Sequence, residues 1–220
     1  MIFFVWLVNS GSVTNTFDKE LGERKFEIDK VVYNDEAKRL QTVVSIPISG
    51  IVNLDKSVKT EILLDRDKFI KNLAERIAND NGEMSEIGSD YSCEIESIFE
   101  DEKFISYSLI ISDYYGGSAH PVSRFKTYNF DLKKKSIVRF GELFSVKTKS
   151  DTLELISIMN KAINNENAEV KRLDKMEFNF SKDSISFNFD DYEIASYAEG
   201  LIKATVSKEH LKKFINSNYW

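Results

Sequence analysis

Three runs of alternating apolar and polar residues, at 91–99, 103–114 and 124–132, follow one another with no helix-length segment between them. Consecutive strands of this kind pair with their neighbours in antiparallel sheets and disfavour a doubly wound parallel fold, which would interleave a helix after each strand. The acidic turn Glu100-Asp101-Glu102 joins the first two runs as a hairpin. In the second run Ile105, Tyr107, Leu109 and Ile111 share one face, and Ser106 and Ser108 fall on the other, where a solvated surface is expected. In the third, Tyr128, Phe130 and Leu132 align, and Lys133-Lys134-Lys135 turns the chain into Ile137-Val138.

The flanking segments complete an α+β pattern. Residues 25–33 and 40–48 read as strands joined by Asn34-Asp35-Glu36. Residues 55–78 read as a helix, because Val58, Ile62, Phe69, Leu73 and Ile77 recur at spacings of four and seven. Asp55 is its expected N-cap and Asn81-Gly82 its stop. A second helix is expected at 151–164, capped by Ser150, with Leu155, Ile156, Met159, Ala162 and Ile163 facing inward. Two alternating strands, 176–180 and 185–189, surround Ser181-Lys182-Asp183-Ser184, and a strand at 202–206 follows. Ser207 then caps a short helix carrying Leu211, Phe214 and Ile215. The expected fold is α+β, with antiparallel sheets, helices packed on one side and two loosely similar lobes at 25–123 and 124–220. Residues 1–24 are expected to be a signal or anchor remnant, or a disordered lead.

Composition supports a packed core. Of 220 residues 42% are hydrophobic, with 16 Phe and 9 Tyr, while only 2 Pro and 9 Gly leave no linker-like stretch. The net charge of −6, with lysines scattered among acids, argues against a nucleic-acid groove. It keeps the chain soluble and suits approach of a cationic partner. Cys93, the single cysteine, permits no intramolecular disulfide and falls with Tyr91 and Ile95 on a buried face. The apolar run Ile2-Phe-Phe-Val-Trp-Leu-Val8 is too short to span a bilayer and has no basic residue ahead of it. It reads as the tail of a signal peptide or anchor, or as a first strand.

Little in the chain points to catalysis. His120 and His210 stand apart, without the paired spacing of a histidine metal site. His120 belongs to Tyr114-Tyr-Gly-Gly-Ser-Ala-His-Pro121, where Gly116 and Gly117 permit backbone angles closed to other residues. Tyr114, Tyr115, Gly116, Gly117 and His120 form the candidate ligand-binding loop. The same residues suit a purely structural bend in which the imidazole bonds backbone. Asp190-Asp191 invites comparison with the metal-binding pair of carbohydrate deacetylases, but no His-x-x-x-His accompanies it. Glu94, Glu96, Glu100, Asp101 and Glu102 read as a solvated strand edge. There is no phosphate-binding glycine loop and no Gly-x-Ser-x-Gly elbow. No catalytic residue, metal or cofactor is expected.

Four segments carry a family resemblance. They are Ser45-Ile-Pro-Ile-Ser-Gly50, Gly116-Gly-Ser-Ala-His-Pro121, Tyr128-Asn-Phe-Asp131 with Phe140-Gly-Glu-Leu-Phe144, and Tyr192-Glu-Ile-Ala-Ser-Tyr-Ala-Glu-Gly200. In this order, over residues 25–216, they resemble the extracytoplasmic domain of RsiV-type anti-sigma factors, which also accompanies PdaC-type peptidoglycan deacetylases. Ser118 interrupts the family's Gly-Gly-Ala-His loop, Lys135 stands where many members have a turn glycine, and Ser196 replaces a proline. The resemblance implies an extracytoplasmic α+β binding or sensor module, whether periplasmic, secreted or membrane-anchored. Its implied partner is a basic wall-active protein such as lysozyme, or a cell-wall glycan. An accessory part of a peptidoglycan-modifying enzyme and a structural envelope protein are the alternatives.

Overall fold

A computed structural model describes residues 26–79, 86–174 and 176–219. The apolar run 2–8, the lead at 1–24 and the Asn81-Gly82 stop lie outside the described residues. The chain runs β1 (Glu27–Asp35), β2 (Leu40–Ile48), α1 (Val52–Asn79), β3 (Ser89–Glu100), β4 (Phe104–Tyr114), β5 (Val122–Asp131) and β6 (Ser136–Ile137). It continues through α2 (Phe140–Leu143), α3 (Lys149–Ala162), β7 (Glu177–Phe180), β8 (Ser184–Phe189), β9 (Ile202–Ser207) and α4 (Lys208–Leu211). The strands form one sheet in the order β1-β2-β3-β4-β5-β6 and a second in the order β7-β8-β9. The α+β class expected from the sequence is what the chain adopts.

The fold comprises two compact units that interleave along the chain. Among the described residues, the first holds those up to Glu94 together with Asp113–Pro121, and the second holds Ile95–Ser112 and those from Val122.

In the first unit β1 and β2 pair antiparallel from Glu27↔Ile48 to Asp35↔Leu40. Their connection is a 3-10 turn, Glu36–Lys38, closed by Arg39 at φ 48. The hydrogen bond from Lys38 holds the Asp35 carboxyl below its ordinary range. β2 then pairs with β3 in parallel, from Leu40↔Ser89 to Val44↔Cys93, a parallel pairing within an antiparallel-rich architecture. Parallel neighbours need a long crossover, and α1 supplies it. Its apolar stripe Leu54, Val58, Ile62, Phe69 and Leu73 is buried, as are Val44, Ile46, Tyr91 and Cys93 on the strands. The helix begins at Val52, three residues before the expected start. Asp55 therefore lies in its first turn, and its carboxylate reaches back to accept from Ser49 N (2.9 Å), Ser49 Oγ (2.7 Å) and Gly50 N (2.9 Å). It fixes the strand-to-helix corner instead of capping the helix.

In the second unit the core is largely aromatic. Phe104 stacks on Phe180 with centroids 4.5 Å apart, and Phe178, Phe187 and Phe144 cross at 5.5–5.9 Å. α3 adds Leu155 and Met159 to the same core. Its N-cap is Thr148, not Ser150: Thr148 Oγ1 accepts from Asp151 N at 3.0 Å, and Asp151 accepts from Thr148 N at 3.1 Å. Ser207 caps α4 as expected, accepting from His210 N at 3.3 Å. Lys135 takes φ 54 in the turn before β6, the conformation for which a glycine is the usual residue.

The expected solvated face of β4 is instead buried. Ser106 and Ser108 are 1% and 0% exposed. Ser106 Oγ donates to Asn129 Oδ1 on β5 (2.7 Å) and accepts from Phe180 N on β7 (2.8 Å). Asn129 Nδ2 donates to Phe178 O (2.7 Å), and Thr127 Oγ1 accepts from Phe178 N (3.2 Å). Side chains of β4 and β5 thus satisfy the backbone edge of β7. Strand alternation misleads at Ser106 because a small hydroxyl tolerates burial once it has partners, whereas Ser108 Oγ is buried with no hydrogen-bond partner among the described residues.

Asn129→Ala leaves Phe178 O and Ser106 Oγ buried with a lost partner, and is expected to reduce stability by about 2–3 kcal/mol. Ser186→Ala, which breaks an exposed hydroxyl pair with Thr205 on the second sheet, serves as the control and is expected to change stability by less than about 0.5 kcal/mol. Urea unfolding of the two variants measures both.

Candidate functional site

The glycine-containing loop 114–121 connects β4 to β5. Its five candidate residues lie together there, but they turn in different directions. The Tyr115 ring packs 4.6 Å from Phe69 of α1, and the Arg76 guanidinium lies 3.9 Å from the centre of the Tyr115 ring. Gly116 N donates to Ser89 Oγ at 2.8 Å. A Cβ at Gly116 would lie 2.1 Å from Ile87 O, so this position excludes every residue but glycine. Gly117 is exposed at φ 88. Tyr114 OH donates to Ser118 O (3.1 Å), and His120 Nδ1 donates to Pro121 O (2.9 Å). The loop is therefore braced by its own hydrogen bonds and fastened to α1 through Tyr115.

A second group of side chains lies in the other unit, where β8 ends. Three successive outward N–H groups of β5 each meet a carboxylate. Ser123 N donates to Asp191 Oδ2 (2.7 Å), Phe125 N to Asp190 Oδ1 (2.7 Å) and Thr127 N to Glu177 Oε2 (2.8 Å). Asp191 N donates back to Ser123 O at 3.1 Å. The acidic pair that invited a metal comparison thus works as a set of backbone acceptors along a strand edge. Among the described residues no three His, Cys, Asp or Glu side chains converge in a metal-binding group.

The chain after Asp191 forms a tight turn that displays two tyrosines. Tyr192 adopts φ 66, a left-handed backbone that costs a non-glycine residue about 1–2 kcal/mol, and the residue is 55% exposed. Its ring stacks on Tyr197 at 5.5 Å with planes 28° apart. Glu193 Oε2 accepts from Asp190 N at 2.9 Å. Glu199 accepts from Asn165 Nδ2 (2.7 Å) and Asn167 Nδ2 (2.9 Å), and Ile194 O accepts from Glu169 N (3.0 Å). The turn is consequently fixed at both ends, and Tyr192 is held in a strained conformation with its ring outward.

Burial pushes the Asp190 carboxyl up to about 6, aided by repulsion from Glu193 and Glu177 and opposed by the Phe125 N–H and Arg124. Glu193 is raised as well, chiefly by burial. The sequence drew attention to Asp190-Asp191 and to the Tyr192–Gly200 motif separately, but nothing in it signals that Tyr192 is strained. Tyrosine is an unusual residue in left-handed backbone, so its conformation has no local sequence signature. His210 stands alone and exposed on α4.

Comparison with known proteins places this turn inside a recognised segment. Residues 142–209 match a family described as a protein of unknown function, DUF3298. That span includes Glu177, Asp190, Tyr192, Glu193 and Tyr197, and does not reach the loop at 114–121. The chain is 23% identical over 173 residues to the peptidoglycan-N-acetylmuramic acid deacetylase PdaC of Bacillus subtilis, covering 70% of this chain and 37% of that protein. It thus spans well under half the length of that relative. A crystal structure of a DUF3298 family member from Bacteroides fragilis superposes with TM-score 0.60 at 16% identity, covering 89% of this chain and 95% of that one. A DUF3298 family protein from Pseudomonas aeruginosa gives TM-score 0.56 at 11% identity, over 91% and 97% of the two chains. These likenesses agree with the α+β architecture.

The packing of the 114–121 loop sets two expectations for thermal unfolding. Gly116→Ala is expected to lose about 2–4 kcal/mol, because backbone must move to admit a methyl group. Tyr115→Ala is expected to lose about 1–3 kcal/mol through the missing contacts with Phe69 and Arg76. Unchanged melting temperatures would show that the loop is not fastened as described.

Proposed function

We propose that this chain is a non-catalytic binding module of the bacterial cell envelope, acting outside the cytoplasmic membrane, with a cell-wall glycan as its ligand. The observation that carries this reading is the exposed, backbone-strained Tyr192 stacked on Tyr197 beside the half-buried carboxyl of Asp190 and the exposed Glu193. Strain persists where the surrounding structure enforces it, and it concentrates at ligand-binding positions. Tyrosine rings offer rigid, amphipathic contact area to the C–H faces of a sugar, and adjacent carboxyl groups accept its hydroxyls. Asp190 and Asp191 are engaged with backbone amides, which suits a holding role rather than a chemical one. The likeness to a peptidoglycan deacetylase supports wall glycan as the ligand class. Among the described residues no helix is long and apolar enough to cross a membrane.

A second reading takes a basic, lysozyme-like protein as the partner. The acidic side chains beside the tyrosines and the net charge of −6 favour it.

The test is titration calorimetry with a tetrasaccharide of alternating N-acetylglucosamine and N-acetylmuramic acid, and separately with lysozyme. Tyr192→Ala is expected to weaken tetrasaccharide binding by about 1–3 kcal/mol. Tyr192→Gly is expected to weaken it equally while leaving the melting temperature unchanged or higher, because glycine relieves the left-handed strain. Lysozyme binding without tetrasaccharide binding would decide for the second reading. Full affinity in both variants would remove the turn from the binding surface.

A further inference from the structure

The carboxylates along β5 suggest how the tyrosine turn is controlled. Asp190 is placed between opposing demands. Its Oδ1 accepts from Phe125 N, and this bond, with the neighbouring Asp191–Ser123 pair, seats the turn on the strand. The same carboxyl is half-buried and faces Glu193 from its own turn and Glu177 from β7. Arg124 on β5 is the opposing cation at Asp190. Lys126 lies 3.8 Å from Glu177, and Arg172 and Asp174 act on Glu193 from the segment after α3. The ionised group thus sits among like charges in a poorly hydrated place, while the neutral group keeps its acceptor oxygen for Phe125.

We infer that proton uptake by Asp190 seats the Tyr192–Tyr197 turn on β5 and strengthens glycan binding there, and that proton loss loosens both. The binding half of this inference rests on the functional reading above. The seating half stands apart from that reading: it rests on the Asp190 and Asp191 bonds to β5 and on the acidic neighbours Glu193 and Glu177.

The direction follows from linkage. Asp190 is raised in the folded chain from 3.8 to about 6, so the seated turn binds the proton more tightly than the released turn does. The stabilisation is fully present below the lower value, and it is lost as pH rises through the upper one. Between pH 5 and pH 7 the ratio of seated to released turn changes by at most about tenfold, and by less where solvent screens a half-exposed group.

Amide hydrogen exchange of the whole chain, corrected for intrinsic rates, reads the seating directly. Protection of the Phe125 amide is expected to rise several-fold from pH 7 to pH 5. The Val138 amide, bonded to Asn129 O at 2.6 Å on the same edge of β5, is expected to remain flat. Asp190→Asn keeps an acceptor for Phe125 and loses the titration, so its Phe125 protection is expected to be independent of pH. A wild-type Phe125 amide indifferent to pH overturns the inference. So does a pH dependence that survives in Asp190→Asn and vanishes in Glu193→Gln, which would move the proton to Glu193. Affinity for the tetrasaccharide, measured on the same samples, is expected to rise several-fold from pH 7 to pH 5 in the wild type and to stay constant in Asp190→Asn. If the tetrasaccharide binds at neither pH, the functional reading fails, and the exchange data still decide the seating.

Discussion

The second unit depends on how two strand edges are closed. β5 offers three outward N–H groups beyond the reach of β6, and β7 offers two on the side away from β8. Each of the five is taken by a side-chain oxygen: Asp191, Asp190 and Glu177 on β5, Thr127 and Ser106 on β7. Where the acceptor is an ionised carboxylate the bond is stronger than a neutral one, about 1.5–3 kcal/mol, while the Thr127 and Ser106 hydroxyls on β7 give ordinary neutral bonds. They also leave no free row of donors on which a foreign strand could pair. Glu177 of β7 and the turn that follows β8 supply the acids for β5, and β4 and β5 supply the hydroxyls for β7. Closing one edge therefore fixes the position of the other.

This arrangement explains which features were legible in the sequence. The stripe Val58, Ile62, Phe69 and Leu73 reports a helix because burial of one face repeats every turn. The alternation in 176–180 and 185–189 reports a hairpin for the equivalent reason. Side-chain acceptors carry no such period. Ser106 reads as a surface residue until its two partners are known, and Asp190-Asp191 reads as a metal pair until the facing N–H groups are in view. Asp55 looks like an N-cap because caps and corner ties draw on the same residue types. The parallel pairing of β2 with β3 was hidden for a different reason: a helix between strands may either cover a sheet or cross it, and its own sequence is the same in both cases.

The candidate loop at 114–121 was conspicuous by composition, and the structure gives that composition a packing basis. Gly116 is required by the carbonyl of Ile87, and Tyr115 contacts both Phe69 and Arg76 of α1. The tyrosine turn was less conspicuous. Its distinguishing features are a backbone angle and a shared ring face, both of which arise from fastening at each end, by Asp190 and Asp191 on one side and by Glu199 on the other. Ser196, where the resembled family has proline, sits at φ −72, an angle that proline also adopts, so the short helical turn forms with either residue.

The interleaving of the two units bears on the order in which a ribosome delivers them. Residues up to Glu94 emerge first, but the first unit also includes Asp113–Pro121. Before that segment leaves the exit tunnel, Phe69 and Arg76 of α1 lack the Tyr115 ring, and Ser89 Oγ lacks the Gly116 amide. By the time Pro121 is synthesised, residues 95–112 of the second unit already hang from the nascent chain, their eventual partners on β7 still to be translated. Neither unit is finished while the other is wholly unmade, so the usual economy of folding one domain and then the next is closed to this chain.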